Sequence, residues 1–369
     1  MYNKNYCISS LAQLFSTLLQ IALGHDVAPS HTPSLEEWKQ LYSIAKKQAL
    51  LGITYRAIEL LPAEQRPPRQ LLLQWCVMAE RIKDRNRELN NKAVEVSQRF
   101  LDDGFRNIIL KGQGIAKYYS INNLELYRTP GDIDIWFDGS REDITAYVRR
   151  HAPDCQVVYH HVDFPAIDGA HIEVHFTPSW MNSYFTNRVL QRYFEDNRES
   201  LFAPCRGTLC DIPTPSLAFN RLYILIHIYR HLFHEGIGLR QLMDYYFVLR
   251  QGFSAKEHDA TLQMLRRLKM LRFTSAVMWI LREVFMLEEE YLITAPNERD
   301  GRLLLDEIMI AGNLGLYDQR MIRSRKDTEL KYGLRKVQRN LRFLESYTSE
   351  VLWSPMFKVW HYFWRKRIN

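Results

Sequence analysis

The sequence predicts an α+β fold: a mixed β-sheet between helical N-terminal and C-terminal regions. Three observations lead there. Residues 1–104 carry apolar side chains at helical spacing and end on Gly104, where a helix C-cap belongs. Residues 105–212 change character, with short β-like runs and Gly-rich turns mixed among helical segments. Residues 213–369 return to helical periodicity. These three stretches are the expected organisation: an N-terminal helical region, a central core and a C-terminal helical region.

The helices follow from their caps and breakers. In Ile8–Leu23, Leu11, Phe15, Leu18, Leu19 and Ala22 share one face. Gln13, Ser16, Thr17 and Gln20 interrupt the apolar run, which favours an amphipathic first helix over a cleaved signal. Ser34 and Glu37 have capping-box spacing for a helix to about Leu50. A shorter helix over Thr54–Leu61 stops at Pro62, Pro67 and Pro68, and a long one runs from Arg69 to Asp102. Further on, helices are expected over Gln113–Ser120, Arg141–Arg150, Asn182–Phe194 and Ser216–Phe233, the last apolar on most sides and therefore central. Leu239–Arg250, Ala255–Leu268, Phe273–Phe285, Gly301–Ala311, the basic Leu330–Leu344 and Trp353–Trp364 complete the set.

Strands are expected at Asn107–Leu110, Asp132–Phe137, Gln156–His161 and His171–Phe176, with a turn at Asp168-Gly169. A small hairpin is expected over Leu201–Ala203 and Thr208–Ile212.

Composition narrows the class. The 369 residues are 46% hydrophobic and 25% charged, ordinary for a globular protein with a sizeable core. No window offers about 18 uninterrupted apolar residues, so no transmembrane helix is expected. Five cysteines, with no Cys-x-x-Cys, argue against a disulfide framework or a thiolate zinc site and fit a cytoplasmic protein. The net charge is +7, yet Arg320 to the end alone holds 13 Lys or Arg against 4 Asp or Glu. Such a tail is either a solvated helix face or a surface for phosphate, nucleic acid or acidic membrane.

The chemistry centres on Ile108–Phe137. Asp132 and Asp134 are one residue apart in an apolar run, so a strand points both the same way. Burying ionised carboxylates without partners costs several kcal/mol, on the order of the penalty for any unpaired buried ion, and a pair of divalent metals would offset it. Glu173, in His171-Ile172-Glu173-Val174-His175, is a third carboxylate about one strand away. Lys111-Gly112-Gln113-Gly114 sits where a strand turns into a helix, a place suited to phosphate although it is not a P-loop. Arg128 either binds phosphate or pairs with a nearby carboxylate.

Taken in order, Lys-Gly, Arg128, Gly-Asp-Ile-Asp and Glu-x-His resemble the nucleotidyltransferase family 5 proteins, a branch of the DNA polymerase β-like superfamily. The resemblance covers Ile108–Phe176 and, more loosely, extends to about Leu249. It implies a mixed-sheet catalytic core, two Mg²⁺, and transfer of a nucleoside monophosphate from an NTP to a hydroxyl acceptor on a small molecule or protein. Asp132, Asp134 and Glu173 would be the metal ligands and catalytic residues. Lys111, Gly112, Gln113, Gly114 and Arg128 would bind the nucleotide. The wider superfamily has Gly-Ser at the phosphate turn, whereas this chain has Gly112-Gln113 and no hydroxyl.

His227, His231 and His234 share one helix face and are read either as packing, as cleft-lining residues beside His175 and Arg240, or as a zinc site. Arg240 and Asp244 have i, i+4 spacing for an ion pair. Two other classes stay open: a non-enzymatic nucleotide- or partner-binding protein, and a nucleic-acid-binding protein acting through the basic C-terminus.

Overall fold

The computed structural model describes residues 10–202, 212–322 and 328–368. The chain begins with helices α1 (Ser10–Ala22), α2 (Leu35–Lys47), α3 (Leu51–Leu60) and α4 (Arg69–Asp102). Ser34 and Glu37 form the capping box that their spacing predicts for α2. Next come β1 (Asn107–Ile109), α5 (Gln113–Ala116), β2 (Ile133–Phe137), α6 (Arg141–His151), β3 (His161–Ile167) and β4 (Ala170–His175). Then follow α7 (Tyr184–Asp196), α8 (Arg198–Leu201), α9 (Leu217–His234), α10 (Leu239–Leu249), α11 (Ala255–Arg267), α12 (Leu271–Phe285), α13 (Glu298–Ala311), α14 (Glu329–Leu341) and α15 (Thr348–Ile368). No helix among the described residues is long and apolar enough to cross a membrane.

The four strands form one mixed sheet in the order β1-β2-β4-β3. β1 runs antiparallel to β2, β2 parallel to β4, and β3 antiparallel to β4. Alternation along β2 divides its side chains between two cores. Ile133, Ile135 and Phe137 pack with Leu89, Val96 and Phe100 of α4 and Ile144 and Val148 of α6. Trp136, on the opposite face, joins the large core that includes α1, α9, α10 and α12. Asp134 shares that second face, so its carboxylate looks toward α9.

The α9 helix is buried around its whole circumference from Phe219 to Phe233, as its apolar sequence predicts. Two expectations need correction, and a third lies mostly outside the described residues. The strand expected over Gln156–His161 instead runs over His161–Ile167, with only an isolated bridge at Val157. The reason is the Asp168-Gly169 turn, whose two positive φ angles (47° and 75°) fold β3 straight back into β4 and pull the strand up to the turn. Pro165 argues against a central strand, and β3 lies at the sheet edge, where a proline is tolerated. The helix expected over Gln113–Ser120 is a single turn, Gln113–Ala116. The hairpin expected around residues 201–212 lies mostly outside the described residues, and Leu201 ends α8. Cys76 and Cys155 are free thiols.

Candidate active site

The parallel pairing of β2 with β4 builds the site. It sets Asp134 opposite Glu173 and Trp136 opposite His175. Lys111, at the end of β1's run, reaches Asp134 Oδ1 with its Nζ at 3.0 Å. His175 Nε2 lies 3.1 Å from the same oxygen and 3.3 Å from Glu173 Oε2, so one imidazole joins the two carboxylates. On the edge strand, His161 Nδ1 is 3.5 Å from Glu173 Oε2. Asp132 ends the loop just before β2, open to the cleft, and forms no ion pair among the described residues.

Electrostatics follow from this crowding. Partial desolvation, then repulsion from Asp134 and Glu173, pushes the Asp132 carboxyl above its ordinary range. Burial opposes charge on His175, but hydrogen bonds to Asp134 and Glu173 win and raise its pKa. Burial likewise opposes charge on Glu173; its hydrogen bond with His175 and the charges of His161, His175 and Lys111 hold it well below the usual carboxylate range. The two carboxylates beside His175 thus favour its protonated form. A hard divalent cation suits the same place, because the ligand atoms of Asp134, Glu173 and His175 all lie within 4.8 Å of one another. Unpaired Asp132 adds a further oxygen donor. His160, His161 and Glu173 form a second group of that kind.

A cleft of about 610 Å³ opens over these residues, large enough for a nucleotide. Lys111, Gly112, Asp132, Asp134 and Glu173 line one end. His227, His231 and Arg240 line it as expected, and so does His234. His175 is not a wall residue; it lies beneath, buried, tying the carboxylates together. Neither metal-capable group among the described residues includes an α9 histidine.

The phosphate turn is built on Gly112 (φ +60°) and Gly114, where a Cβ would come within 2.5 Å of the Ile109 carbonyl oxygen. Because α5 is one turn long, its dipole offers little to an anion, and the Lys111 ammonium is the charge available there.

Arg128 follows the ion-pair alternative. Its Nε and Nη2 donate to Asp244 at 2.6 and 2.8 Å, and Nη1 to the Thr129 carbonyl at 3.4 Å. The expected Arg240–Asp244 pair does not form; Arg240 Nη1 donates to the Thr129 carbonyl at 2.9 Å. The i, i+4 spacing permits a pair, but the fork of Arg128 meets Asp244 bidentately, a geometry a helix neighbour cannot match as well.

Sequence reasoning missed the part of the cleft wall formed by His160, Trp180, Arg230 and His361. The only sequence signal was the His160-His161 pair directly before an edge strand; Arg230 and Trp180 carry no motif.

No curated protein and no solved structure matches the chain. One family model does, over residues 34–286, from the N-cap of α2 to the end of α12. It takes in the sheet, the carboxylates and the α9 and α10 walls of the cleft, and on that match the chain belongs to the uncharacterised nucleotidyltransferase family, transferases that act on an NTP.

Proposed function

We propose that the cleft over β2 and β4 transfers a nucleoside monophosphate from an NTP, with ATP the first to test, to an acceptor hydroxyl. The observation that carries this reading is the convergence of Asp132, Asp134 and Glu173 on one sheet face beside Lys111. Asp132, Asp134 and Glu173 would hold two Mg²⁺. When bound, such ions neutralise phosphate charge and lower the pKa of a coordinated hydroxyl.

The residues supply the rest. Lys111, now on Asp134, is within reach of the triphosphate and offsets the charge that grows on departing pyrophosphate. The Gly112–Gly114 turn, lacking side-chain bulk, lets backbone amides approach the phosphates. Arg128, held by Asp244, fixes the wall beside the nucleotide. His175 orients Asp134 and Glu173 through its two contacts. The acceptor hydroxyl gives up its proton toward Glu173 as its oxygen bonds the α-phosphorus, and the α–β phosphoanhydride bond breaks to release pyrophosphate. A catalytic core over residues 105–212, flanked by helical regions over 1–104 and 213–369, and a cytoplasmic setting belong to the same proposal.

The test is a screen of labelled NTPs with Mg²⁺ against wild type and Asp134→Asn. Nucleotide binding or label transfer by wild type, lost in the variant and on EDTA treatment, supports the reading. Absence of binding and turnover with every NTP overturns it.

A further inference from the structure

Arg230 of α9 is a buried cation with no carboxylate at ion-pair distance among the described residues. Its Nη1 lies 3.1 Å from His160 Nε2 and its Nη2 2.6 Å from His231 Nε2. Arginine can only donate, so both imidazole Nε2 atoms accept, and in the neutral rings Nδ1 carries the proton. His231 passes its Nδ1 proton toward Glu235 Oε2 at 2.7 Å. His160 Nδ1 has no partner, nor does Arg230 Nε. The nearest acidic group is thus reached only through a histidine.

The surroundings repeat the pattern. The Arg230 guanidinium lies 4.1 Å over the Trp180 ring, and the His160 ring centroid is 4.1 Å from the same ring. Trp180 Nε1, Asn182 Nδ2, His361 Nε2 and Lys358 Nζ also have no hydrogen-bond partner. Most of these unpartnered atoms are nitrogens, with the Ser179 hydroxyl, able to donate as well, beside them. An unmade buried hydrogen bond destabilises the fold, and an unpaired buried charge does so more strongly. A folded protein keeps such a set where a ligand completes it. Of the other cations of the cleft, Lys111 pairs with Asp134 and Arg128 with Asp244, while Arg240 donates to the Thr129 carbonyl.

This part of the cleft wall adjoins Glu173 through His160 and His161. We propose that Arg230, His160 and Trp180 form an oxyanion-binding subsite for the acceptor, so that the acceptor is a hydroxyl compound carrying a phosphate or carboxylate group. The proposal rests on the nucleotidyl-transfer reading for the word acceptor; the oxyanion site itself does not.

The experiment uses the full chain. Thermal unfolding is followed with rising inorganic phosphate, and separately acetate, at constant ionic strength set by chloride. Phosphate raises Tm by about 3–6 °C at a concentration about 100 times its Kd. That shift disappears in Arg230→Gln and persists in Lys111→Ala. Arg230→Lys keeps the charge, loses the fork, and is the second variant should the glutamine protein not fold; its shift falls by at least half. A response to phosphate alone assigns a phosphorylated acceptor, and a response to acetate assigns a carboxylate. No response to either anion overturns the subsite. A shift that survives in Arg230→Lys at full size, or vanishes in Lys111→Ala, overturns it too. Mg-ATP binding, measured by calorimetry on the same samples, separates the two readings: its absence from wild type removes the nucleotidyl-transfer reading and leaves the anion response to stand or fall alone.

Discussion

Asp134 of β2 and Glu173 of β4 stand opposite each other in a parallel pair, and the imidazole of His175 contacts both at 3.1 and 3.3 Å. Two adjacent carboxylates repel, and positive neighbours offset that repulsion. In this structure Lys111 contacts Asp134, and the two carboxylates raise the pKa of the His175 imidazole that joins them.

Removing one of the two carboxylates tests the arrangement. Asp134→Asn is expected to lower the rate of label transfer by at least about 100-fold, the scale on which single electrostatic groups act in active sites. The same change removes one cause of the raised Asp132 pKa, so the Asp132 carboxyl moves back toward its ordinary range. Carboxyl NMR titration reads this, and an Asp132 pKa that stays put sinks the claimed coupling.

A buried ion pair carries the second prediction. Arg128 and Asp244 are both buried and bonded bidentately. Asp244→Ala leaves the guanidinium without its counter-charge and is expected to cost about 3–5 kcal/mol in urea unfolding. Replacing both partners with apolar residues of similar volume restores most of that loss. An Asp244→Ala protein as stable as wild type contradicts the assignment.

Glu350 supplies a pH dependence. It lies in α15, accepts the backbone N–H groups of Asn182 and Ser183 at 2.6 and 3.4 Å, and burial pushes its carboxyl up to about 7. Below about 4.5 both folded and unfolded chains hold this proton, and the contribution to stability is complete. Between about 4.5 and 7 the folded chain keeps the proton and the unfolded chain loses it, so stability falls as pH rises. The loss from this group reaches up to about 3 kcal/mol above pH 7. Glu350→Gln cannot titrate, and its unfolding free energy should change less than that of wild type across the window. Equal slopes for the two proteins rule the assignment out.

The phosphate turn yields a steric prediction. A Cβ at Gly114 meets the Ile109 carbonyl oxygen at 2.5 Å, and that atom belongs to backbone in the sheet. Gly114→Ala is therefore expected to destabilise by about 1–3 kcal/mol, the usual cost of overpacking, and to weaken NTP binding. Differential scanning calorimetry and nucleotide titration check the two effects separately.

The local parts of this molecule were legible in the sequence because they depend on neighbours along the chain. The Ser34–Glu37 capping box, the Asp168-Gly169 turn and the all-round apolar character of α9 need only a few residues each. That Asp132 and Asp134 point the same way follows from alternation along the chain alone. Strand β3 was misplaced because apolar content marked its approach, while the turn and Pro165 decided its extent.

By itself, then, the sequence determined the α+β class and most of the helices. The tertiary structure decided which long-range partners meet. The register that sets Asp134 against Glu173 spans a crossover through α6, and Asp244 pairs with Arg128 across 116 positions rather than with Arg240 four residues from it. His160, Trp180 and Arg230 meet only because the sheet edge, the loop before α7 and the middle of α9 enclose one cleft. Periodicity records which face of an element is buried; it does not record which other face covers it, and that pairing is what places charges beside one another.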